Sequence, residues 1–195
     1  MTRIIAGEWG GRRLRTPPGD GTRPTSDRVR ESMFQTLESM LGGLETVPFL
    51  DLFAGSGALG LEAESRGGIG DLVESDRRAA AVVAANIADL GAESRLHRTT
   101  AQRFLTGRSL GDWGLVFLDP PYAMATERVH DLLAMLAADD NLLGGAVLVV
   151  ERSTRTPFAW PQGYEPVKDK AYGETTLWYG RPVLQTAPSG PRSAP

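Results

Sequence analysis

The sequence predicts an α/β protein with a mostly parallel, doubly wound sheet. From about residue 47, short apolar runs alternate with amphipathic helical segments, and the connections between them are short. The first apolar run ends in a glycine-rich turn, which is typical of a strand that leads into a helix at a sheet edge. Two further runs flank Tyr172-Gly173, and we expect them to close the sheet as an antiparallel pair.

The first 24 residues are predicted to form a basic extension with a short β-hairpin. Residues 3–6 and 12–16 flank the letters GEWGG, a pattern typical of two strands joined by a glycine-rich turn. A loop rich in proline and glycine follows over 17–24. Residues 1–30 hold seven arginines against three acidic residues, although the whole chain has a net charge of −3. Such an arm can attract a phosphate-bearing partner, or it can simply be solvated.

The main domain is predicted over residues 25–181 and begins with a helix. Thr25 or Ser26 can cap this helix by accepting hydrogen bonds from its first amides, and Gly42 can end it. Apolar residues recur at four-residue intervals between these limits, so one face is expected to be buried: Val29, Met33, Leu37 and Leu41.

Five strands and three further helices are then predicted to alternate along the chain. The strands are expected at VPFLDLF, GDLVESD, residues 94–99, WGLVFLDPPY and GAVLVVERS. The helices are expected over 58–66, 77–90 and 126–138. Asp76 can cap the second of these helices, and Gly91 can end it in the left-handed conformation. Residues 182–195 are rich in proline, serine and alanine, and a disordered tail is expected there.

Composition excludes several classes of site. The chain has no cysteine, which rules out disulfides and thiolate metal sites. Its two histidines, His97 and His130, lie far apart in sequence, which argues against a zinc site and against a Ser-His-Asp hydrolase, so no metal is predicted. The N-terminus lacks an apolar signal segment and no run has membrane-spanning length, so we expect a cytoplasmic protein with no membrane partner. No strong additional interface is visible in the sequence, so a monomer is expected.

The turn after the first strand has the spacing of a nucleotide-binding loop. Gly55-x-Gly57-x-x-Gly60 provides a tight turn that a ligand can approach closely, because glycine has no Cβ. Glu74 follows the next apolar run, where a carboxylate can accept hydrogen bonds from a ribose diol and would repel a 2′-phosphate. This pattern suits NAD and S-adenosylmethionine equally.

Asp51 favours S-adenosylmethionine over NAD. It lies near the carboxyl end of the first strand, where a carboxylate would repel a pyrophosphate but could complement the α-ammonium group of S-adenosylmethionine, directly or through water. The alternative is a strand-end aspartate that caps the local turn through backbone N–H groups.

The fourth strand ends in Asp119-Pro120-Pro121-Tyr122, a sequence suited to holding a planar amine. Two prolines fix the backbone and remove two donors, so the Pro120 carbonyl can face a ligand beside the Asp119 carboxylate. Two acceptors at a fixed separation can receive both hydrogens of an exocyclic NH₂ group, and Tyr122 offers a face on which a nucleobase can stack.

Such a clamp addresses the difficulty of methylating an exocyclic amine. The nitrogen lone pair is delocalised into the ring, so the amine is a poor nucleophile until its N–H groups are held out of the planar arrangement. Positioning then supports an in-line displacement, and Asp119 stabilises the positive charge that moves to nitrogen. The residues therefore predict an amino-methyltransferase that uses S-adenosylmethionine.

At this level of detail the chain resembles the RsmD family of bacterial methyltransferases. The resemblance covers about residues 3–180 and is carried by RIIAGEWGGRRL, RPTSDRVRESMFQTL, LDLFAGSGALGLEA, LVESDRRAAAVVAANI and FLDPPY. It implies a class I S-adenosylmethionine-dependent methyltransferase (Rossmann-like) fold with a seven-stranded sheet. It also implies that the substrate is the N2 amine of a guanine in the 16S ribosomal RNA of the small subunit.

The resemblance implies a set of site residues. The catalytic residues would be Asp119, Pro120, Pro121 and Tyr122, which hold the target base. The cofactor residues would be Arg23, Thr25, Asp51, Phe53, Gly55, Gly57, Glu74, Ser75, Thr100, Ala101 and Asp119. The hairpin and the following helix would grip RNA through Arg12, Arg13, Arg15 and Arg28. Thr100 is a departure, because relatives place an aspartate or asparagine near the adenine amine there.

Three alternatives stay open at this point. A DNA adenine-N6 or cytosine-N4 methyltransferase, or an enzyme acting on another RNA, could use the same clamp, although no separate DNA-recognition domain is apparent. An NAD-dependent oxidoreductase would leave the Asp-Pro-Pro-Tyr sequence unexplained. A non-catalytic RNA-binding protein would not need an intact clamp.

Other notable residues are expected to have structural roles. Trp113 and Phe117 should pack the sheet, whereas Arg66, Arg77 and Arg78 should be solvated positions on helices.

Overall fold

The computed structural model describes residues 2–17, 26–106, 112–138 and 141–183. Two residues of the expected cofactor site, Arg23 and Thr25, lie outside the described residues, as do most of the predicted loop 17–24 and residues 184–195 of the predicted tail.

Within these ranges the elements follow the predicted order. The strands are β1 (Thr2–Arg3), β2 (Arg13–Leu14), β3 (Pro48–Asp51), β4 (Ile69–Val73), β5 (Arg95–His97), β6 (Trp113–Leu118), β7 (Leu142–Ser153), β8 (Tyr164–Tyr172) and β9 (Thr175–Pro182). The helices are α1 (Asp27–Leu41), α2 (Ala58–Ser65), α3 (Arg77–Leu90), α4 (Ala101–Leu105) and α5 (Thr126–Ala137).

The main sheet has seven strands in the order β5-β4-β3-β6-β7-β9-β8. The first five strands of this row are parallel, and β9 runs antiparallel to both β7 and β8. The chain therefore proceeds outward from β3 to β5, returns to β6 beside β3, and proceeds outward again. In open α/β sheets, ligands bind outside the carboxyl ends of the strands at such a reversal. The predicted fold class is confirmed.

Helices cover both faces of the sheet, as the alternation of β6 shows. Leu115 and Phe117 pack with α1 and α2 on one face, whereas Val116 and Leu118 pack with α4 and α5 on the other. All six residues of β6 are buried, including Trp113, which confirms the predicted packing roles of Trp113 and Phe117. A strand buried on both faces explains why its sequence is a continuous apolar run.

The helix limits follow capping chemistry. Ser26 accepts a hydrogen bond from the Val29 amide at the start of α1, and Gly42 ends that helix in the left-handed conformation. Asp76 caps α3 by accepting from two amides, and Gly91 ends it with φ of 74°. These four predictions are confirmed. The short helix α4, capped by Thr100, was missing from the sequence prediction.

A buried carboxylate fastens the N-terminal hairpin to the main domain. Glu62 on α2 is fully buried and accepts hydrogen bonds from the amides of Ile5 (2.6 Å) and Ala6 (3.0 Å). The same carboxylate accepts from Arg66 Nε at 2.8 Å. The prediction that Arg66 is solvated is wrong: its side chain is 8% exposed and its guanidinium lies over the Phe34 ring. The two residues are one helical turn apart, so they pair beneath the hairpin.

Among the described helices, none is both long and apolar enough to cross a membrane.

We predict that Glu62→Ala destabilises the protein by about 2–4 kcal/mol, because it leaves two hairpin amides without their acceptor and Arg66 with Glu38 as its remaining carboxylate partner. Urea unfolding followed by circular dichroism measures the change. Glu31→Ala, at an exposed position of α1, is the control and should change the free energy of unfolding by less than about 0.5 kcal/mol. A loss below about 1 kcal/mol for Glu62→Ala would contradict the anchoring role.

Candidate active site

A cavity of about 700 Å³ lies at the carboxyl edge of the parallel strands. Its walls come from the segments that follow β3, β4, β5 and β6, from the end of β7, and from α1 and α5. Parallel strands all end at this edge, so segments distant in sequence meet there. The predicted site residues that line it are Phe53, Gly55, Glu74, Ser75, Thr100, Ala101, Asp119, Pro120, Pro121 and Tyr122.

The glycine loop is held by backbone conformation and by Glu74. Gly55 and Gly57 have φ of 58° and 84°, in the left-handed region that favours glycine. The Glu74 carboxylate accepts hydrogen bonds from the Gly55 amide at 2.8 Å and from the Asp76 amide at 2.7 Å. It thereby ties the loop after β3 to the loop after β4. A carboxylate has about four lone-pair directions, so acceptor capacity remains for a ligand hydroxyl.

Asp51 ends β3, as predicted, and its carboxylate faces backbone amides. Its side chain is fully buried, does not line the cavity, and accepts hydrogen bonds from the amides of Phe53 and Gly60, each at 3.2 Å. Burial raises the pKa of Asp51 to about 7, against the opposing effect of these two bonds. These bonds match the alternative of an aspartate that caps the local turn, from beneath the loop and the start of α2; the contact with an ammonium group stays a prediction. Gly57 also lies off the cavity wall.

The Asp-Pro-Pro-Tyr segment turns away from the sheet directly after β6. Pro120 is buried, whereas Tyr122 is 50% exposed and its hydroxyl lies 3.2 Å from Thr175 Oγ1. The Met124 amide donates to the Pro121 carbonyl at 2.8 Å, which closes the turn. An aromatic ring held at the cavity rim and open to solvent is suited to stacking on an incoming base.

Two carboxyl groups stand side by side in the cavity wall. Glu151 on β7 is 5% exposed and lines the cavity next to Asp119. Leu118 pairs with Val150, so the next positions along these parallel strands are Asp119 and Glu151. Burial raises the pKa of Asp119 well above its ordinary value, and the charges of Glu151 and Asp51 raise it further. None of the described residues donates a hydrogen bond to the Asp119 carboxylate.

Sequence reasoning missed Glu151 and a second cavity residue, Arg30. Both are charged residues within apolar patterns: Glu151 follows the run AVLVV, and Arg30 lies one turn before Met33 and Phe34 on the buried face of α1. A charge at a position where the pattern demands an apolar residue was the available signal.

The predicted RNA-binding arginines lie at the surface and are partly paired. Arg12 donates to the Asp89 carbonyl at 2.7 Å, and Arg15 forms an ion pair with the Asp89 carboxylate at 2.8 Å. Arg13 on β2 and Arg28 on α1 are exposed. The predicted hairpin is confirmed, with strands shorter than expected, and it presents these cations on the outside of the molecule.

Neither histidine contributes to the cavity. His97 Nε2 lies 2.6 Å from Asp71, and His130 Nε2 lies 2.9 Å from the Ala159 carbonyl. The cavity chemistry therefore does not involve an imidazole.

Comparison with known sequences gives a consistent set of relatives. The family described as Conserved hypothetical protein 95 matches residues 2–181. Ribosomal RNA small subunit methyltransferase D of Escherichia coli K12 is 43% identical over 151 residues, which cover 76% of this chain and 73% of the relative. The protein of the same name from Haemophilus influenzae is 31% identical over 176 residues, covering 88% and 89%.

Solved structures agree with this. The Escherichia coli protein yhhF superposes with a TM-score of 0.81 at 32% identity, covering 94% of this chain and 99% of that one. TTHA0928 of Thermus thermophilus gives 0.78 at 29% identity, covering 92% and 98%. Precorrin-6y C5,15-methyltransferase of Geobacter metallireducens, at 16% identity and a TM-score of 0.62 over 86% of this chain and 92% of that one, shares the fold.

We predict that the free energy of unfolding falls as the pH rises from about 4 to 7. The folded protein keeps a proton on Asp51 up to about pH 7, whereas the unfolded chain releases it near the ordinary aspartate pKa. The contribution of Asp51 to the free energy of unfolding is thus fully present below the pKa of the unfolded chain. It is lost as the pH rises through the pKa of the folded protein, by on the order of 1–3 kcal/mol.

Asp51→Asn should reduce this decline, because the amide does not titrate. The part of the decline that comes from the raised pKa of Asp119 should remain. Urea unfolding at pH 5, 6, 7 and 8 measures the slope, with Asp169→Asn on the exposed strand β8 as control. An unchanged slope in Asp51→Asn would show that Asp51 is ionised in the folded protein.

Proposed function

The chain belongs to the RsmD family of methyltransferases, and on that premise we propose that it transfers a methyl group from S-adenosylmethionine to the N2 amine of a guanine in 16S ribosomal RNA. One observation carries the proposal: the glycine loop after β3 and the Asp-Pro-Pro-Tyr segment after β6 line a single cavity. A cofactor site and an amine site that share a cavity are what methyl transfer between them requires.

The cavity fits S-adenosylmethionine in size and in chemistry. Its volume of about 700 Å³ lies within the usual range for small-molecule and cofactor sites. Glu74 offers an acceptor for ribose hydroxyls, and the Ser75 and Thr100 positions line the same end of the site. When bound, the cofactor supplies a methyl group on a positively charged sulfur, which a cavity bearing Asp119 and Glu151 favours electrostatically.

Asp119 and Pro120 are proposed to hold the amine. The Asp119 carboxylate and the Pro120 carbonyl would accept its two hydrogens, and the Tyr122 ring would stack on the base. As positive charge develops on the nitrogen, the neighbouring carboxyl groups stabilise it. The raised pKa of Asp119 also suits it to take the proton that the methylated amine releases.

RNA binding is proposed for the hairpin and the start of α1. Arg12, Arg13, Arg15 and Arg28 are exposed and would contact phosphates, with Arg12 and Arg15 exchanging part of their contact with Asp89 for the RNA. A guanine splayed out of its stack could then enter the cavity and lie against Tyr122.

The relatives favour this function over the alternatives raised from the sequence. Their names describe methyltransferases of small-subunit ribosomal RNA, which supports an RNA substrate rather than DNA and methyl transfer rather than hydride transfer. The clamp residues are all present in the cavity, which supports catalysis rather than RNA binding alone.

We predict that Asp119→Ala lowers the rate of methyl transfer by about 100-fold or more while changing the affinity for S-adenosylhomocysteine by less than about 3-fold, since the residue acts on the amine and on its developing charge. Calorimetry measures the affinity. Transfer of tritiated methyl groups to small subunits from cells that lack the gene measures the rate, with bare RNA and DNA as further acceptors.

Asp169→Ala, on β8, is the matched control and should retain wild-type turnover. Near-normal transfer by Asp119→Ala would refute the amine clamp, and transfer to DNA in preference to either RNA acceptor would refute the substrate.

Replacing Arg12, Arg13 and Arg15 together by alanine should weaken RNA binding by about 10-fold or more and reduce the salt dependence of the affinity, because fewer counterions are released. Affinity for S-adenosylhomocysteine should not change. The control removes three other exposed cations: Arg155, Lys168 and Lys170. Filter binding over a range of salt concentrations measures the affinity. An equal loss of affinity in both triple variants would contradict RNA binding by the hairpin.

A further inference from the structure

Arg30 is a buried arginine in the wall of the candidate active site. It lies in the first turns of α1, its side chain is 1% exposed, and it lines the same cavity as Gly55 and Asp119. Its Nη2 atom donates to the Arg3 carbonyl and, at 2.9 Å, to Asp27 Oδ1. These bonds fix the guanidinium against the hairpin on one side and leave its other edge uncommitted.

Two nitrogens of this guanidinium lack partners. Nε and Nη1 are buried, and neither has a hydrogen-bond partner among the described residues. Burial lowers the pKa of Arg30, and the charges of Asp27 and Glu62 only partly offset this. Unsatisfied buried donors are costly, and a guanidinium edge matches the two oxygens of a carboxylate. The arrangement therefore points to an anionic ligand group in the cavity.

The start of α2 supplies a second anion-binding element in the cavity that Arg30 lines. Gly57, at the start of this eight-residue helix, has no side chain to cap it, and the Gly60 amide is taken by Asp51, but Ala58 and Leu59 of the first turn line the cavity with Arg30. The first amides of a helix carry partial positive charge and bind anions. The side-chain cation and the helix start thus line the same cavity.

The position of Arg30 identifies the group that would reach it. The segments after β4 and β5, with Ser75 and Thr100, form one end of the row of strands, where the proposed function places the adenosine part. Helix α1 packs over β6 and β7, toward the other end of the parallel row. The amino-acid part of the cofactor, which ends in a carboxylate, extends away from the adenosine.

We propose that Arg30 and the first turn of α2 bind the α-carboxylate of the cofactor's amino-acid part. This inference rests on the proposed use of S-adenosylmethionine. A phosphate of the RNA is the other anion at hand, but Arg30 is almost fully buried beside the glycine loop, whereas Tyr122 marks the open rim that RNA would meet.

Calorimetry with two ligands tests the proposal: S-adenosylmethionine and decarboxylated S-adenosylmethionine, which keeps the sulfonium and the amine. Wild-type protein should bind the carboxylated ligand about 30-fold more tightly or better, as a bidentate charged contact in a buried site provides. Arg30→Met should lose most of that preference, while its affinity for the decarboxylated ligand stays within about 3-fold of wild type.

Arg30→Lys keeps the charge but loses the planar fork, so it should retain an intermediate preference for the carboxylated ligand. This variant tests the carboxylate contact if Arg30→Met does not fold. Arg3→Met removes a neighbouring cation that does not line the cavity and should keep the full preference. Thermal unfolding monitors the integrity of each variant.

A full preference in a folded Arg30 variant, or an equal loss of affinity for both ligands, would overturn the carboxylate contact alone. Failure of wild-type protein to bind either ligand would instead overturn the proposed function, so the two failures are distinguishable.

Discussion

The parallel pairing of β3 with β6 is the constraint on which the candidate site depends. Leu50 pairs with Val116 and Asp51 with Phe117, and the Leu52 amide continues the ladder to the Phe117 carbonyl at 3.1 Å. The two strands therefore end at the same level of the carboxyl edge of the sheet. One continues into the glycine loop and the other into Asp119. A different neighbour for β6 would separate the cofactor loop from the amine clamp, although every residue of both motifs would still be present.

The same edge of the sheet concentrates buried charge. Asp51, Asp119 and Glu151 lie close enough that their charges act on one another, and Arg30 enters the cavity from the opposite helix layer. Burial raises the pKa of both Asp51 and Asp119, and ionisable groups with strongly shifted pKa values are concentrated at functional sites. In contrast, the pair of Glu62 and Arg66 is satisfied within the protein and fastens the hairpin.

Much of this fold could be predicted from local sequence, because its determinants are local. Apolar runs mark the buried strands, and caps such as Asp76 and Gly91 set helix limits through their own hydrogen bonds and backbone conformation. The Asp-Pro-Pro-Tyr segment was identifiable because its chemistry follows from adjacent residues. The helix α4 was missed because five residues give too short a periodic pattern.

The remaining features depend on which elements become neighbours in space. The Asp51 carboxylate accepts hydrogen bonds from backbone amides beneath the loop. The sequence could not decide this, because a carboxylate at a strand end can bind either those amides or a ligand. The burial of Arg66 could not be predicted without knowing that α1 packs against it through Phe34 and Glu38. Arg30 and Glu151 reach the cavity only through the packing of α1 and the register of β7, which the sequence pattern does not specify.

Mass spectrometry of small-subunit ribosomal RNA from cells that lack the gene tests the central claim, methylation of a guanine amine, most directly. The account predicts that one N2-methylguanine of the parent strain is replaced by unmodified guanine and returns when the gene is restored. An unchanged set of methylated guanines, or loss of a methyl group from a ring carbon or a ribose instead, would contradict it.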